Sequence, residues 1–258
     1  MKTLSFAACL ILCSSRSLAQ ASPPPSPEGY SYTPSVGEAP PVVEHEEEHR
    51  RTGSVWVLRG ASFAGSGTAA QECDGEACPN SLEKTKYGEV ASYALGMDWL
   101  YSSSRNFRIG LGLGLIPDLA VEESGERFEL GTVVSADLVL EGVFDLSKKT
   151  ALTLRGHVGM SVLVPSGDLE SAASAQSDAC FNLEQNSGVT CESKPGPYLG
   201  VQAGVGPGLL LDLGKLGLRL DLELQLYSFR TLEVKWAGSE SALRFSGVRP
   251  MLLAGIEL

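Results

Sequence analysis

The segment Leu216-Gly217-Leu218-Arg219-Leu220-Asp221-Leu222-Glu223-Leu224-Gln225-Leu226 carries leucine at every even position, with glycine, charged or polar residues between. Successive side chains of a β-strand point to opposite faces, so the pattern describes a strand with one apolar face. The same period of two runs through most of the chain after Gly53. Thr132, Val134, Ala136, Leu138, Leu140, Gly142 and Phe144 oppose Ser135, Asp137, Val139 and Glu141. Leu152, Leu154, Val158, Met160 and Val162 oppose Thr153, Arg155, His157, Gly159 and Ser161. Ile109, Leu111, Leu113 and Leu115 alternate with Gly110, Gly112 and Gly114, and Leu199, Val201, Ala203 and Val205 with Gly200, Gln202, Gly204 and Gly206. Tyr93, Leu95, Met97, Trp99 and Tyr101 oppose Ala94, Gly96 and Asp98. Val248 to Leu258 alternates more loosely, and Gly53 to Ala64 is the weakest of the set.

These runs predict eight strands, at 53–64, 88–101, 107–116, 130–146, 150–164, 197–211, 216–231 and 245–258. Their connections alternate in length. Four are long, 65–87, 117–129, 165–196 and 232–244, and three are tight turns: Ser102 to Asn106, Ser147-Lys148-Lys149 and Asp212-Leu213-Gly214-Lys215. Antiparallel strands joined in sequence therefore place the long loops at one end and the short turns at the other.

The 258 residues hold 20 Lys+Arg against 31 Asp+Glu, a formal net charge of −11, with 43% hydrophobic residues. That composition supports a core and excludes a wholly disordered or collagen-like chain. The acidic balance argues against nucleic acid as a partner, since phosphate recognition needs clustered positive charge. Beyond the first twenty residues no apolar run approaches the ~18 needed for a spanning helix.

Met1 to Ala19 has Lys2 near its start, an apolar stretch from Phe6 to Cys13 and a small-residue ending at Ser17-Leu18-Ala19, the form of a secretory signal peptide. Acylation at Cys9 or Cys13 fits less well, because Leu12 is bulky just before Cys13 and Cys9 leaves little apolar length. Removing 1–19 takes Lys2 and Arg16 with it, leaving 18 basic and 31 acidic residues and a charge of −13. Residues 20–52 are rich in proline and end in Glu44-His45-Glu46-Glu47-Glu48-His49-Arg50-Arg51, which reads as a solvated, disordered linker. His45-Glu46-x-x-His49 spells a zinc-hydrolase motif, but that motif needs a rigid buried helix and a third ligand. A charged tether is the better reading, and neither a metal nor a cofactor is expected. Four cysteines remain after the leader, Cys73, Cys78, Cys180 and Cys191. In an exported chain an even number points to disulfides; three pairings are open, and loop closure favours Cys73 with Cys78 and Cys180 with Cys191.

Two architectures accept eight such strands. In a soluble lipocalin-like barrel the leucines point inward; in a membrane barrel they meet lipid and the charges fill the lumen. Three features favour the membrane. The face opposite the leucines is glycine-rich in two strands, which suits an interior crowded by charged side chains. Strands of ~9–11 residues suffice to cross a tilted path through a bilayer. Trp56, Trp99, Tyr101, Phe107 and Phe144 lie near the short-turn ends, where an aromatic girdle would sit. The expected fold is an all-β, eight-stranded antiparallel up-and-down transmembrane β-barrel over 53–258. Its inward set would include Asp98, Arg108, Asp137, Glu141, Arg155, His157, Arg219, Asp221, Glu223 and Arg249. Mixed signs in a narrow interior imply mutual pairing, because an unpaired buried charge is costly.

On these patterns residues 53–258, about four fifths of the chain, resemble the small eight-stranded outer-membrane β-barrels of Gram-negative bacteria, the group containing the OmpA membrane domain and OmpX-like proteins. The resemblance implies a monomer in the outer membrane, with lipid, lipopolysaccharide and the barrel assembly machinery as partners and a periplasmic N-terminal tail. Such barrels commonly end in an aromatic residue; this chain ends Ala254-Gly255-Ile256-Glu257-Leu258. Function is expected at the loops, with 65–87 and 165–196 stiffened by disulfides as a surface-recognition face, or else in a purely structural role. The alternatives are a narrow pore, a barrel-embedded lipid-modifying enzyme and a soluble exported barrel with an apolar ligand. Against the enzyme, His157 and Ser161 share a face but stand ~13 Å apart at ~3.3 Å per residue.

Overall fold

The computed structural model describes residues 53–75, 78, 83–104 and 106–258; the leader 1–19, the segment 20–52 and its His45-Glu46-x-x-His49 match lie outside the described residues. In chain order the elements are β1 (Ser54–Phe63), β2 (Ser66–Asp74), β3 (Lys84–Glu89), β4 (Ser92–Ser104), β5 (Phe107–Glu123), β6 (Glu126–Asp145), β7 (Thr150–Pro165), α1 (Gly167–Ser187), β8 (Cys191–Lys194), β9 (Tyr198–Asp212), β10 (Gly217–Trp236) and β11 (Ser239–Glu257).

Hydrogen bonding runs β1-β4-β5-β6-β7-β9-β10-β11 and returns from β11 to β1, antiparallel at every step. The sheet is thus closed. At its seam Val57 to Phe63 pair with Glu257 to Met251, and Trp56 and Leu258 exchange backbone bonds of 3.2 and 2.8 Å. The three remaining strands extend three of the staves: β2 carries on from β1 along β11, β3 leads into β4 and reaches β5, and β8 leads into β9 beside β10. The result is an eight-staved up-and-down barrel.

The leucines decide which way the wall faces. Leu218, Leu220, Leu222, Leu224 and Leu226 are 44–60% exposed, while Arg219, Asp221 and Glu223 between them are 2–7% exposed. A lipocalin-like barrel requires the reverse, so the soluble alternative is overturned. Trp56, Trp99, Tyr101, Phe107 and Phe144 also face outward toward the short-turn end. An outward apolar wall edged by aromatics is the surface a barrel presents to lipid.

Two of the four expected long loops are not loops. β5 and β6 run on to Glu123 and Glu126 and close in a two-residue turn, Ser124-Gly125, with φ of 54° and 87°. β10 and β11 likewise meet at Ala237-Gly238, with φ of 44° and 77°. Positive φ at both turn residues gives a hairpin twist that matches the strands. The alternation looked finished earlier because bulges interrupt it, between Ile116 and Ala120 and between Thr231 and Val234. Asp118 and Leu232 take positive φ at those bulges, which re-aim the strand without ending it. The 65–87 connection is the β2–β3 hairpin, and 165–196 is mostly helix. α1 has Asp168 and Glu170 in its first turn, where the helix dipole favours acids, and ends at Gly188 with φ 65°. It buries only Leu169, Ala173 and Cys180, too narrow a stripe to announce a helix in the sequence.

Candidate functional site

Inside the wall the side chains form three zones. Toward the short-turn end lie small apolar groups, Val55, Val57, Leu100 and Val139 in one and Val143, Ala151 and Leu210 in another. Toward the long-loop end is a larger apolar plug that includes Phe63, Ile116, Leu163, Phe229 and Met251. The charges lie below this plug, and Arg108 and Glu257 stand as near the short-turn end as the small apolar groups do.

Arg155 anchors one charged cluster. It donates to Glu223 at 2.7 Å and to both oxygens of Asp98 at 3.1 and 3.2 Å, and Arg59 donates to Asp98 at 2.8 Å. His157 lies between carboxylates, Nε2 at 2.8 Å from Glu223 and Nδ1 at 3.3 Å from Asp137. Gln202 donates to both oxygens of Asp137 at 2.9 and 3.0 Å. A second cluster joins Arg108 to Glu141 (3.2 Å) and Glu257 (2.9 Å), and Arg219 to Glu141 (2.5 Å) and Asp221 (3.2 Å). Arg249, the tenth expected lumen residue, belongs to neither. It donates to Glu89 at 2.9 and 2.5 Å and to Gln225 at 2.8 Å, and stacks 4.6 and 4.4 Å from the rings of Phe63 and Tyr227.

Glycines make room for this packing. A Cβ at Gly204 would run into the His157 imidazole and stand 3.0 Å from the Glu223 carboxylate. At Gly206 it would meet the Leu222 carbonyl, and at Gly208 the Asp221 carboxylate. The space left among Arg59, Arg155, His157 and Gln202 is a cavity of about 50 Å³. That is room for water, not for a solute.

Above the plug the barrel opens into a vestibule of about 670 Å³. Tyr87, Val121, Ala242 and Phe245 line its lower part and are buried. Tyr87 hydroxyl meets that of Tyr227 at 2.9 Å, joining the floor to the Arg249 layer. Glu83, Glu123, Glu126 and Arg127 stand exposed at the rim. α1 borders one side, Gln176 donating to the Leu232 carbonyl at 3.1 Å. Disulfides Cys73–Cys78 and Cys180–Cys191 lie at this end, the second tying α1 to β8, whose Cys191 pairs with Trp236 of β10. On the outer hairpins Arg230 bonds Glu240 at 2.6 Å and holds its carboxyl below the usual range, while Arg244 pairs with Glu72 at 2.6 Å.

No protein-family model and no curated protein matches the chain. Among solved structures it is similar to small outer-membrane β-barrels. OprG of Pseudomonas aeruginosa is 13% identical over 82% of this chain and 98% of that one, with a TM-score of 0.46. The outer membrane protein AlkL is 15% identical over 89% and 95%, with a TM-score of 0.39. Neisserial surface protein A is 12% identical over 77% and 98%, with a TM-score of 0.35. The likeness is one of fold.

Several lumen residues escaped the sequence reading. Glu89 was hidden because Val90-Ala91, between β3 and β4, restart the alternation: Tyr87 and Glu89 point inward at odd positions, Ala94 and Asp98 at even ones. Arg59 lay in the weakest strand, opposite Leu58, and Glu257 shares its parity with Arg249, a signal that was present. Gln202 and Gln225 share the inward parity but carry no charge, so a set of inward charges leaves them out. The His157 ring nitrogens face Asp137 and Glu223, so Ser161 on the same face is not its partner.

Proposed function

We propose that the chain is an outer-membrane barrel with a sealed lumen whose work is done at its long-loop end, as a cell-surface recognition module. In this reading the long-loop end faces outward from the cell, and the short turns and the N-terminal segment 20–52 face the periplasm. Lipid, lipopolysaccharide and the assembly machinery are its standing partners, and a surface ligand meets the disulfide-bearing hairpin 65–87 and the helical connection 165–196. One contrast carries the reading: about 50 Å³ of free space in the charged lumen against about 670 Å³ in the open vestibule above it. Charges paired in tiers make a poor path for ions, because each ion must displace a partner already bound.

The test is electrical and topological. Protein reconstituted in planar bilayers is expected to give no stepwise conductance at neutral pH, and single cysteines placed at Gly125 and Gly238 to react with an impermeant maleimide on intact cells. Stable ohmic steps would replace this reading with the narrow pore. Labelling only after permeabilisation would invert the barrel.

A further inference from the structure

We infer that the vestibule is a binding site for small organic cations carrying an apolar body, such as aryl or alkyl quaternary ammonium compounds. The inference rests on the surface-recognition reading and names the ligand class of that site. Three properties of the vestibule point the same way.

The first is size. A volume of about 670 Å³ falls within the ~300–1,000 Å³ typical of small-molecule sites. The second is the character of the floor. Tyr87 and Phe245 are buried beneath it with ring centroids 5.7 Å apart, and Phe128 on β6 lies half-buried at the wall. An apolar body seated on this floor is withdrawn from water. The third is the rim. Glu83, Glu123 and Glu126 share it with one guanidinium, that of Arg127. Arg127 is engaged elsewhere, 3.4 Å from Glu129. Among the described residues no ion pair forms at Glu83, Glu123 or Glu126, whereas the neighbouring acids Glu72, Glu233 and Glu240 are each paired with Arg or Lys. A concave wall with an excess of charge of one sign concentrates counter-charged solutes. An anion would meet repulsion at the rim, and a polar neutral solute would gain little from the floor.

The floor is buried and aromatic while the rim carboxylates are exposed, which selects for amphiphilic cations over simple ones. An ammonium held at the rim leaves the apolar body to fill the floor. Water-soluble probes that do not depend on a lipid phase isolate this chemistry: phenylpropyl-trimethylammonium, phenylpropanol and phenylbutyrate share the body and differ in charge.

The experiment is calorimetric titration of each probe into full-length protein in zwitterionic lipid nanodiscs, with empty nanodiscs subtracted. The cation is expected to bind roughly 10-fold more tightly than the alcohol at low ionic strength, and the anion more weakly than both. The preference should shrink as salt rises. The exposed triple variant Glu83→Gln/Glu123→Gln/Glu126→Gln should keep its heat-dependent gel mobility and bind cation and alcohol within about twofold. Gln71→Trp, which fills the cavity from its wall, should weaken both. Equal affinity for all three probes in the wild type, or a cation preference that survives the triple variant, overturns the inference. If Gln71→Trp abolishes binding that shows no charge preference, the ligand class falls while the vestibule stands as a recognition site. The sealed-lumen reading fails separately, by conductance.

Discussion

Arg155 bonds two carboxylates from different strands, Asp98 of β4 and Glu223 of β10, at a position only 2% exposed. Removing one member of such a set leaves buried charge uncompensated, whereas removing both members of a pair does not. Arg155→Met is therefore expected to lower stability by about 3–5 kcal/mol in equilibrium urea unfolding from lipid vesicles. Adding Glu223→Gln should recover part of that loss. A single variant within about 1 kcal/mol of wild type would mean that water, not protein, neutralises the lumen. At this scale the sequence reveals facing but not pairing. Parity along one strand sets the side on which Arg155 lies; its partner Glu223 is 68 residues away, and which of several inward acids it meets depends on inter-strand register. The same limit hid Glu89, whose parity changes at a two-residue break between strands.

At the scale of elements, the strand cores were readable and the parts beyond the lipid belt were not. Alternation is enforced where one face meets lipid and the other a packed lumen. Above the bulges at Ile116 to Ala120 and Thr231 to Val234 neither constraint holds, and the hairpins are kept by turn geometry and ion pairs. This makes Glu240 a pH-sensitive reporter of the β10–β11 hairpin. Its bonded carboxyl titrates below the usual range, so the contribution from Arg230 is full above the unfolded-chain value and lost as pH falls through the lower folded one. In Arg230→Gln the Glu240 midpoint, followed by NMR, should move up toward the ordinary glutamate value. An unchanged midpoint would assign the effect to another neighbour. α1 was unreadable for a different reason: three buried residues in twenty-one leave no hydrophobic period. Such a helix depends on its tethers, the Cys180–Cys191 bond and the Glu129 amide donating to Asp168 at 2.8 Å. Cys180→Ser/Cys191→Ser should expose α1 to limited proteolysis while the barrel keeps its heat-dependent gel shift. Proteolysis unchanged from wild type would show that packing on β6 suffices.

The molecule as a whole reverses the usual placement of apolar and charged side chains, and this carries a prediction that differs in size between the two environments. Leu222 is 60% exposed and is the middle one of the five outward leucines of β10, Leu218 to Leu226, flanked by the inward Asp221 and Glu223. In water, replacing so exposed a leucine by arginine would leave stability almost unchanged. At the middle of a bilayer the same change costs about 2–4 kcal/mol, falling to about 0–1 kcal/mol near the interface. Leu222→Arg is therefore expected to be strongly destabilising in vesicles, and Leu213→Arg, at the β9–β10 turn, to be nearly neutral. The comparison needs both variants, because a uniform loss would point to impaired assembly rather than depth. Equal, small effects at the two sites would take the leucine belt out of the membrane, although it faces outward from a closed barrel.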